Sequence, residues 1–202
     1  MRVEVRDARP HHAGMGAQAT PVATEKAAPS AATGIRLNLG CGNKEVAGFV
    51  GVDRFPCAAA RVLCDLERRL PFRDRSVDAV HLDNVVEHVR DLPGMMREIA
   101  RVCRPGARVT ILTPHFSALA SWRDPTHVHH LSYFSMDHFA KEASRHYAGG
   151  GFRIVRRELS FVGGPMGLVA RILFALSADS YEKHFCFVFR GGTLRFELEA
   201  VG

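Results

Sequence analysis

Two glycines and an acid carry the first chemistry legible in this 202-residue chain. Ile35-Arg-Leu-Asn-Leu39 alternates apolar and polar side chains as a strand does and runs directly into Gly40-Cys-Gly42. Glycine at both places lets the backbone bend tightly and approach a ligand with no Cβ in the way. Asp53 ends the next apolar stretch, Phe49-Val-Gly-Val-Asp53, and a carboxylate at a strand tip beside such a turn can accept hydrogen bonds from both hydroxyls of a ribose. Asp65, just after another apolar stretch, is placed to accept from an adenine amine.

A second group of candidates follows the last central strand. Thr113-Pro-His-Phe116 and Trp122-Arg-Asp-Pro-Thr-His-Val-His-His-Leu-Ser-Tyr-Phe134 hold four histidines, His115, His127, His129 and His130, with Asp124 and Tyr133 among them. A histidine is the side chain whose ordinary pKa suits it to take a proton from a hydroxyl near neutral pH. His127 is the first choice for that base and Asp124 for its orienting partner; the competing reading makes Asp124 the cap of a turn and leaves the histidines to packing or solvent. A metal site from His127, His129 and His130 is not expected, because an extended His-x-His-His run throws neighbouring side chains to opposite faces and brings no carboxylate set. Glu87-His88 could assist catalysis, but packing at a helix start is the stronger expectation.

The elements that must position these groups follow from periodicity. Asp78-Ala-Val-His-Leu82 predicts a strand with Val80 and Leu82 inward. Leu92, Met95, Met96, Ile99, Val102 and Cys103 recur at helical spacing behind Asp91 as cap and Pro93 in the first turn. Arg104-Pro-Gly106 stops that helix before a buried strand, Ala107–Leu112. A further helix is expected from Ser135 to Tyr147, a strand from Phe152, and core or lid helices within 163–192, whose apolar residues could otherwise face an apolar acceptor. Thr193-Leu-Arg-Phe-Glu-Leu-Glu-Ala200 alternates throughout and reads as a strand with one solvated face, suited to a sheet edge. This rhythm is that of an open, mostly parallel, Rossmann-like α/β sheet with helices on both faces. The connection after Gly42 is too short for the long helix that normally follows a nucleotide-binding strand. Glu45 stands where a dinucleotide fingerprint wants its third glycine, and Asp53 comes 13 residues after Gly40 rather than about twenty, so a nicotinamide cofactor is disfavoured.

In order along residues 35–113, Leu37-Asn-Leu-Gly-Cys-Gly42, Val52-Asp53, Asp65-Leu66, Leu70-Pro-Phe72 with Ser76-Val-Asp78, Val85-Val-Glu-His88 and Arg104-Pro-Gly106 resemble the successive signatures of small class I S-adenosylmethionine-dependent methyltransferases of the type 11 group. The resemblance implies S-adenosylmethionine as cofactor, an antiparallel last strand, and cofactor-binding positions at Asn38, Gly40, Cys41, Gly42, Asp53, Arg54, Asp65, Leu66 and Asn84. The glycines would pass the methionine part, Asp53 the ribose, Asp65 with the Leu66 backbone the adenine, and Asn84 the methionine end. Asn38 departs from the acid usual at its position. The expected reaction is methyl transfer to a hydroxyl of a sugar or small metabolite; an amine acceptor, or a module that only binds the cofactor, are the rival readings.

Composition sets the frame. A chain of this length that is 47% hydrophobic suits one well-buried domain, expected at residues 34–202. Residues 1–33, rich in Ala, Pro, Thr and Gly with no continuous apolar block, read as a disordered tail whose His11-His12 pair is solvated. The formal charge of +6 is spread along the chain without a basic arm, which argues against a nucleic-acid partner. No stretch is apolar enough to predict a membrane span. Five cysteines without a Cys-x-x-Cys pair fit neither a disulfide framework nor a zinc knuckle, and the expected setting is the reducing cytoplasm.

Overall fold

The computed structural model describes residues 34–140 and 150–201. The tail expected over residues 1–33 and the end of the helix expected up to Tyr147 lie outside them. Seven strands form one sheet: β1 (Ile35–Leu39), β2 (Val50–Asp53), β3 (Ala60–Leu63), β4 (Val77–Asp83), β5 (Cys103–Pro114), β6 (Phe152–Phe161) and β7 (Gly191–Ala200). Their spatial order is β3-β2-β1-β4-β5-β7-β6. The first five run parallel and β7 is antiparallel to both its neighbours. The order reverses at β1, whose two neighbours are β2 and β4, and ligands of open parallel sheets bind beyond the carboxyl ends of strands at such a point.

Register shows how the sheet makes its core. Leu37 lies level with Val80, which lies level with Val109 and then Leu198, and all four are buried. Leu39, Leu82, Ile111 and Phe196 form the next row. Helix α1 (Leu92–Val102) adds Leu92, Met95, Met96, Ile99 and Val102 to the same cluster, each burial contributing roughly 1.5–3 kcal/mol. Its start is fixed as expected: the Asp91 carboxylate accepts from the Gly94 amide at 2.8 Å, and Pro93 lies in the first turn. The connections from β1 to β2 and from β2 to β3 hold no helix, so Arg36 and His81 on the other face of the sheet stay half-buried without crossover helices over them.

Two expectations are corrected. The alternating strand β7 is interior, hydrogen-bonded to β5 on one side and β6 on the other, and β6 is the edge. Alternation reports that one face is polar, here Arg195, Glu197 and Glu199 with Arg153 on Glu199 at 2.8 Å, and is silent on how many neighbours a strand has. The helix expected from Ser135 starts at Asp137 as α3 (Asp137–Ala140), because the Ser135 hydroxyl accepts from the Ser132 amide at 2.9 Å in a preceding turn. Helices α2 (Leu119–Arg123), α4 (Pro165–Leu176) and α5 (Ala178–His184) complete the described set. α4 buries Gly167 and Ala170 and exposes Met166, Leu168, Ile172 and Leu176, so it is less of a core helix than its apolar content suggests. Among the described residues, no helix is long and apolar enough to cross a membrane.

Candidate active site

The glycine turn hooks around the end of β2. The Gly40 and Cys41 amides donate to the Val52 carbonyl at 2.8 and 3.2 Å, and the Gly42 amide donates to Asp53 Oδ2 at 2.9 Å. Gly40 has φ +65°, and a Cβ there would meet Val85 Cγ2 at 2.5 Å, so both the backbone and the space demand glycine. Asp53 Oδ1 accepts from the Phe55 amide at 3.0 Å. The carboxylate is thus held by its own loop, with remaining lone pairs directed to the hollow it lines.

That hollow is a cavity of about 780 Å³ at the carboxyl ends of the central strands, within the range of small-molecule sites. Gly40, Asp53, Arg54, Asp65, Leu66 and Asn84 line it, so six of the nine cofactor positions expected from the sequence converge. Asp65 is fixed by accepting from the Glu67 amide at 3.1 Å, with the Arg54 and Arg68 guanidinium groups at 4.0 and 3.7 Å. Asn84 has φ +55°, a left-handed conformation asparagine tolerates, and its amide donates to the Leu112 carbonyl at 2.9 Å. Asn38 and Cys41 instead line a neighbouring hollow of about 370 Å³ that shares Gly40 and is edged by a Lys44–Asp83 ion pair at 2.8 Å. Asn38 donates to the Lys44 carbonyl at 2.9 Å and so holds the turn. Burial first, then neighbouring Cys57, pushes the Cys41 thiol up to about 11, which keeps it protonated at neutral pH. Gly42 lines neither hollow; its part is the hydrogen bond to Asp53.

The opposite wall of the large cavity comes from the turn Val86–His88 and the loop after α2. The Val128 and His129 amides both donate to the Glu87 carbonyl, at 2.8 and 3.2 Å, pinning the loop to the turn. Val85, His88, Pro125, Thr126 and Val128 face the cavity. The sequence position of His88 favours packing at a helix start; the structure makes it a cavity residue through its long-range pairing with Thr126.

The four histidines of the loop part company. His115 is fully buried between Ser117 Oγ at 2.8 Å and Glu182 Oε1 at 2.9 Å, a link to α5. His130 stacks on Trp122 with ring centroids 3.6 Å apart and meets Ser121 Oγ at 2.9 Å. His129 carries a buried Nε2 without a partner among the described residues. His127 lies against His88, ring centroids 4.6 Å apart, with Nδ1 3.0 Å from the Ser121 carbonyl. The His127 amide donates to the Asp124 carbonyl at 3.3 Å, but the Asp124 carboxylate does not hold the His127 ring. Its Oδ1 accepts from the Thr126 amide at 2.9 Å and from the Thr126 hydroxyl at 2.6 Å, and these bonds hold its carboxyl below the usual range. Asp124 is therefore the cap of a turn, and through Thr126, whose Oγ1 is 2.9 Å from His88 Nδ1, it orients His88.

Comparison with known proteins agrees with this geometry. Residues 37–111 match a family model described as a methyltransferase domain. A 2-phytyl-1,4-naphthoquinone methyltransferase of Synechococcus elongatus is 37% identical over 70 residues, 33% of this chain and 30% of that one; the chain thus matches under a third of this curated relative's length. A Haloferax volcanii methyltransferase solved with the Trm112 methyltransferase activator superimposes with TM-score 0.56 at 20% identity, covering 84% of this chain and 83% of that one. A SAM-dependent methyltransferase from Archaeoglobus fulgidus gives 0.55 at 18% identity, covering 83% and 86%. The chain has the fold of the class I S-adenosylmethionine-dependent methyltransferases, and its residues 37–111 match the methyltransferase-domain model.

Proposed function

We propose that the protein, through its domain of residues 34–202, transfers a methyl group from S-adenosylmethionine to a hydroxyl of a sugar or small metabolite. The observation that carries this reading is the convergence of Gly40, Asp53, Asp65, Leu66 and Asn84 on one cavity at the point where strand order reverses. These groups fit the cofactor: Asp53 would hold the ribose, Asp65 the adenine, and the smaller hollow beside Gly40, with Asn38 and Cys41, would take the methionine end. The cofactor supplies an electrophilic methyl on a sulfonium. The chain's part is to align an acceptor with it, which alone removes much of the barrier. When bound, the cofactor would supply the methyl with its sulfonium as leaving group, and the wall that holds His88 and His127 would receive the hydroxyl proton of the acceptor. Arg54, Glu67 and Arg90 on the lining offer polar groups suited to a hydroxyl-bearing acceptor. A reducing cytoplasmic setting suits five cysteines that are all free.

Titration calorimetry with S-adenosylhomocysteine tests the reading. One equivalent is expected to bind, and Asp65→Ala and Asp53→Asn are each expected to weaken it roughly tenfold or more, the worth of a hydrogen bond to a charged group. Asp53→Asn is preferred to alanine because its remaining oxygen can still hold the loop. Absence of binding by the intact protein would overturn the proposal.

A further inference from the structure

We infer that Glu87, His88 and His127 form a binding site for a divalent transition ion at the edge of the cofactor cavity. Sequence spacing argues against a set of His127 with His129 and His130; the fold instead brings His127 to a turn forty residues upstream. One ligand atom from each of Glu87, His88 and His127 lies within 4.8 Å of the other two. Two imidazoles and a carboxylate are a set that binds zinc-class ions and leaves positions open for water or substrate.

Two further observations point to a cation. Glu87 is fully buried; its Oε2 accepts from the Thr113 hydroxyl at 3.0 Å, while its Oε1 is buried with no hydrogen-bond partner among the described residues. A buried carboxylate oxygen left without a partner is costly unless it is protonated or meets a positive charge. The second observation is how the two imidazoles are anchored. The Ser121 carbonyl can only accept, so His127 Nδ1 carries the hydrogen and Nε2 carries a free lone pair. The single proton of Thr126 goes to Asp124, which leaves its oxygen to accept from His88 Nδ1 and again frees Nε2. A ring N–H tied to a carbonyl on one ligand, and to a carboxylate through a hydroxyl on the other, is the arrangement that orients metal-binding histidines. His88 lines the cavity, so the open positions of the ion would face the acceptor. This last point rests on the methyl-transfer reading; the ion site itself does not. A hydroxyl coordinated there would release its proton to solvent more readily, and the resulting alkoxide would take the methyl as described above.

The test is titration of the full-length, metal-stripped protein with Co²⁺, followed by visible absorption and calorimetry. One equivalent is expected, with ligand-field bands and no sulfur-to-metal charge transfer. The latter separates this site from the Cys41–Asp53–Cys57 cluster, whose atoms also lie within 4.8 Å of one another. His88→Ala and His127→Ala are each expected to weaken binding at least tenfold. Thr126→Val, which keeps every ligand and removes the anchor of His88, is expected to weaken it about 10- to 100-fold. Glu87→Gln preserves the shape of the buried side chain should alanine at that position prevent folding. No binding, binding unchanged in both histidine variants, or bands from thiolate would each overturn the inference. A protein that binds S-adenosylhomocysteine but fails to bind Co²⁺ sinks the ion site alone; one that binds Co²⁺ but fails to bind S-adenosylhomocysteine sinks the methyl-transfer reading alone.

Discussion

At the scale of single residues, the site depends on positions where the side chain, or the lack of one, is dictated by a specific neighbour. Gly40 is the clearest case. With φ at +65° and Val85 Cγ2 2.5 Å from where a Cβ would sit, Gly40→Ala combines a left-handed backbone with a collision in the wall of the cavity. We expect a loss of at least about 2 kcal/mol in urea unfolding. Adding Val85→Ala should recover the steric part and leave the backbone part. Gly42 has an equally left-handed φ of +50° but open space around it, so alanine there should cost only the backbone strain. Two glycines that look alike in sequence thus differ in what they do. One keeps the wall close, and the other aims an amide at Asp53.

At the scale of elements, the cavity needs α1 and the loop before β4 to stay where they are, and one ion pair does much of that. Arg101 on α1 binds Glu98 through its Nε and Nη2, at 3.0 and 2.7 Å, and donates to the Leu70 and Phe72 carbonyls at 3.1 Å each. Glu98 in turn accepts from the Leu70 amide at 3.0 Å. The hydrogen bonds from Arg101, more than any other cause, hold the Glu98 carboxyl below its usual range. A depressed folded-state pKa contributes stability at pH values above the unfolded value, near 4.3, and that contribution is lost as pH falls through the folded-state pKa. Unfolding free energies measured from pH 6 down to pH 3 should therefore fall less steeply in Glu98→Gln than in the parent, the two curves converging at the acid end. Equal slopes would show that the pair does not fasten this loop. The pattern in this region was legible beforehand: apolar spacing, Asp91 and Pro93 give α1 within a residue or so. The contact of Glu87 with residues 128 and 129 was not, because nothing local in either segment encodes a pairing across forty residues, and His88 was undervalued for that reason.

At the scale of the whole molecule, what could be read from the sequence is the half of the sheet built from consecutive strand, turn and helix. There, local preference agrees with the final structure except at the start of β5, which begins at Cys103 and takes in Arg104-Pro-Gly106 rather than starting at Ala107. Gly40, Asp53, Asp65, Leu66 and Asn84 met in one cavity because parallel strands deliver their carboxyl ends to the same edge. Beyond β5 local signals leave the arrangement of elements open. Alternation in Thr193–Ala200 identified a strand but not its two partners, and the apolar spacing of α4 identified a helix but not that most of its large side chains stay exposed. Asn38 and Cys41 line the smaller neighbouring hollow rather than the main cavity, Asn38 being tied to the Lys44 carbonyl of the turn. The proposed function requires an adenosine gripped by two neighbouring strand tips. A crystal structure of the protein with S-adenosylhomocysteine tests that most directly. We predict the ribose hydroxyls on the Asp53 carboxylate, the adenine amine at Asp65 and the sulfur on the side of His88; a ligand bound elsewhere, or a ribose that leaves Asp53 untouched, would contradict it.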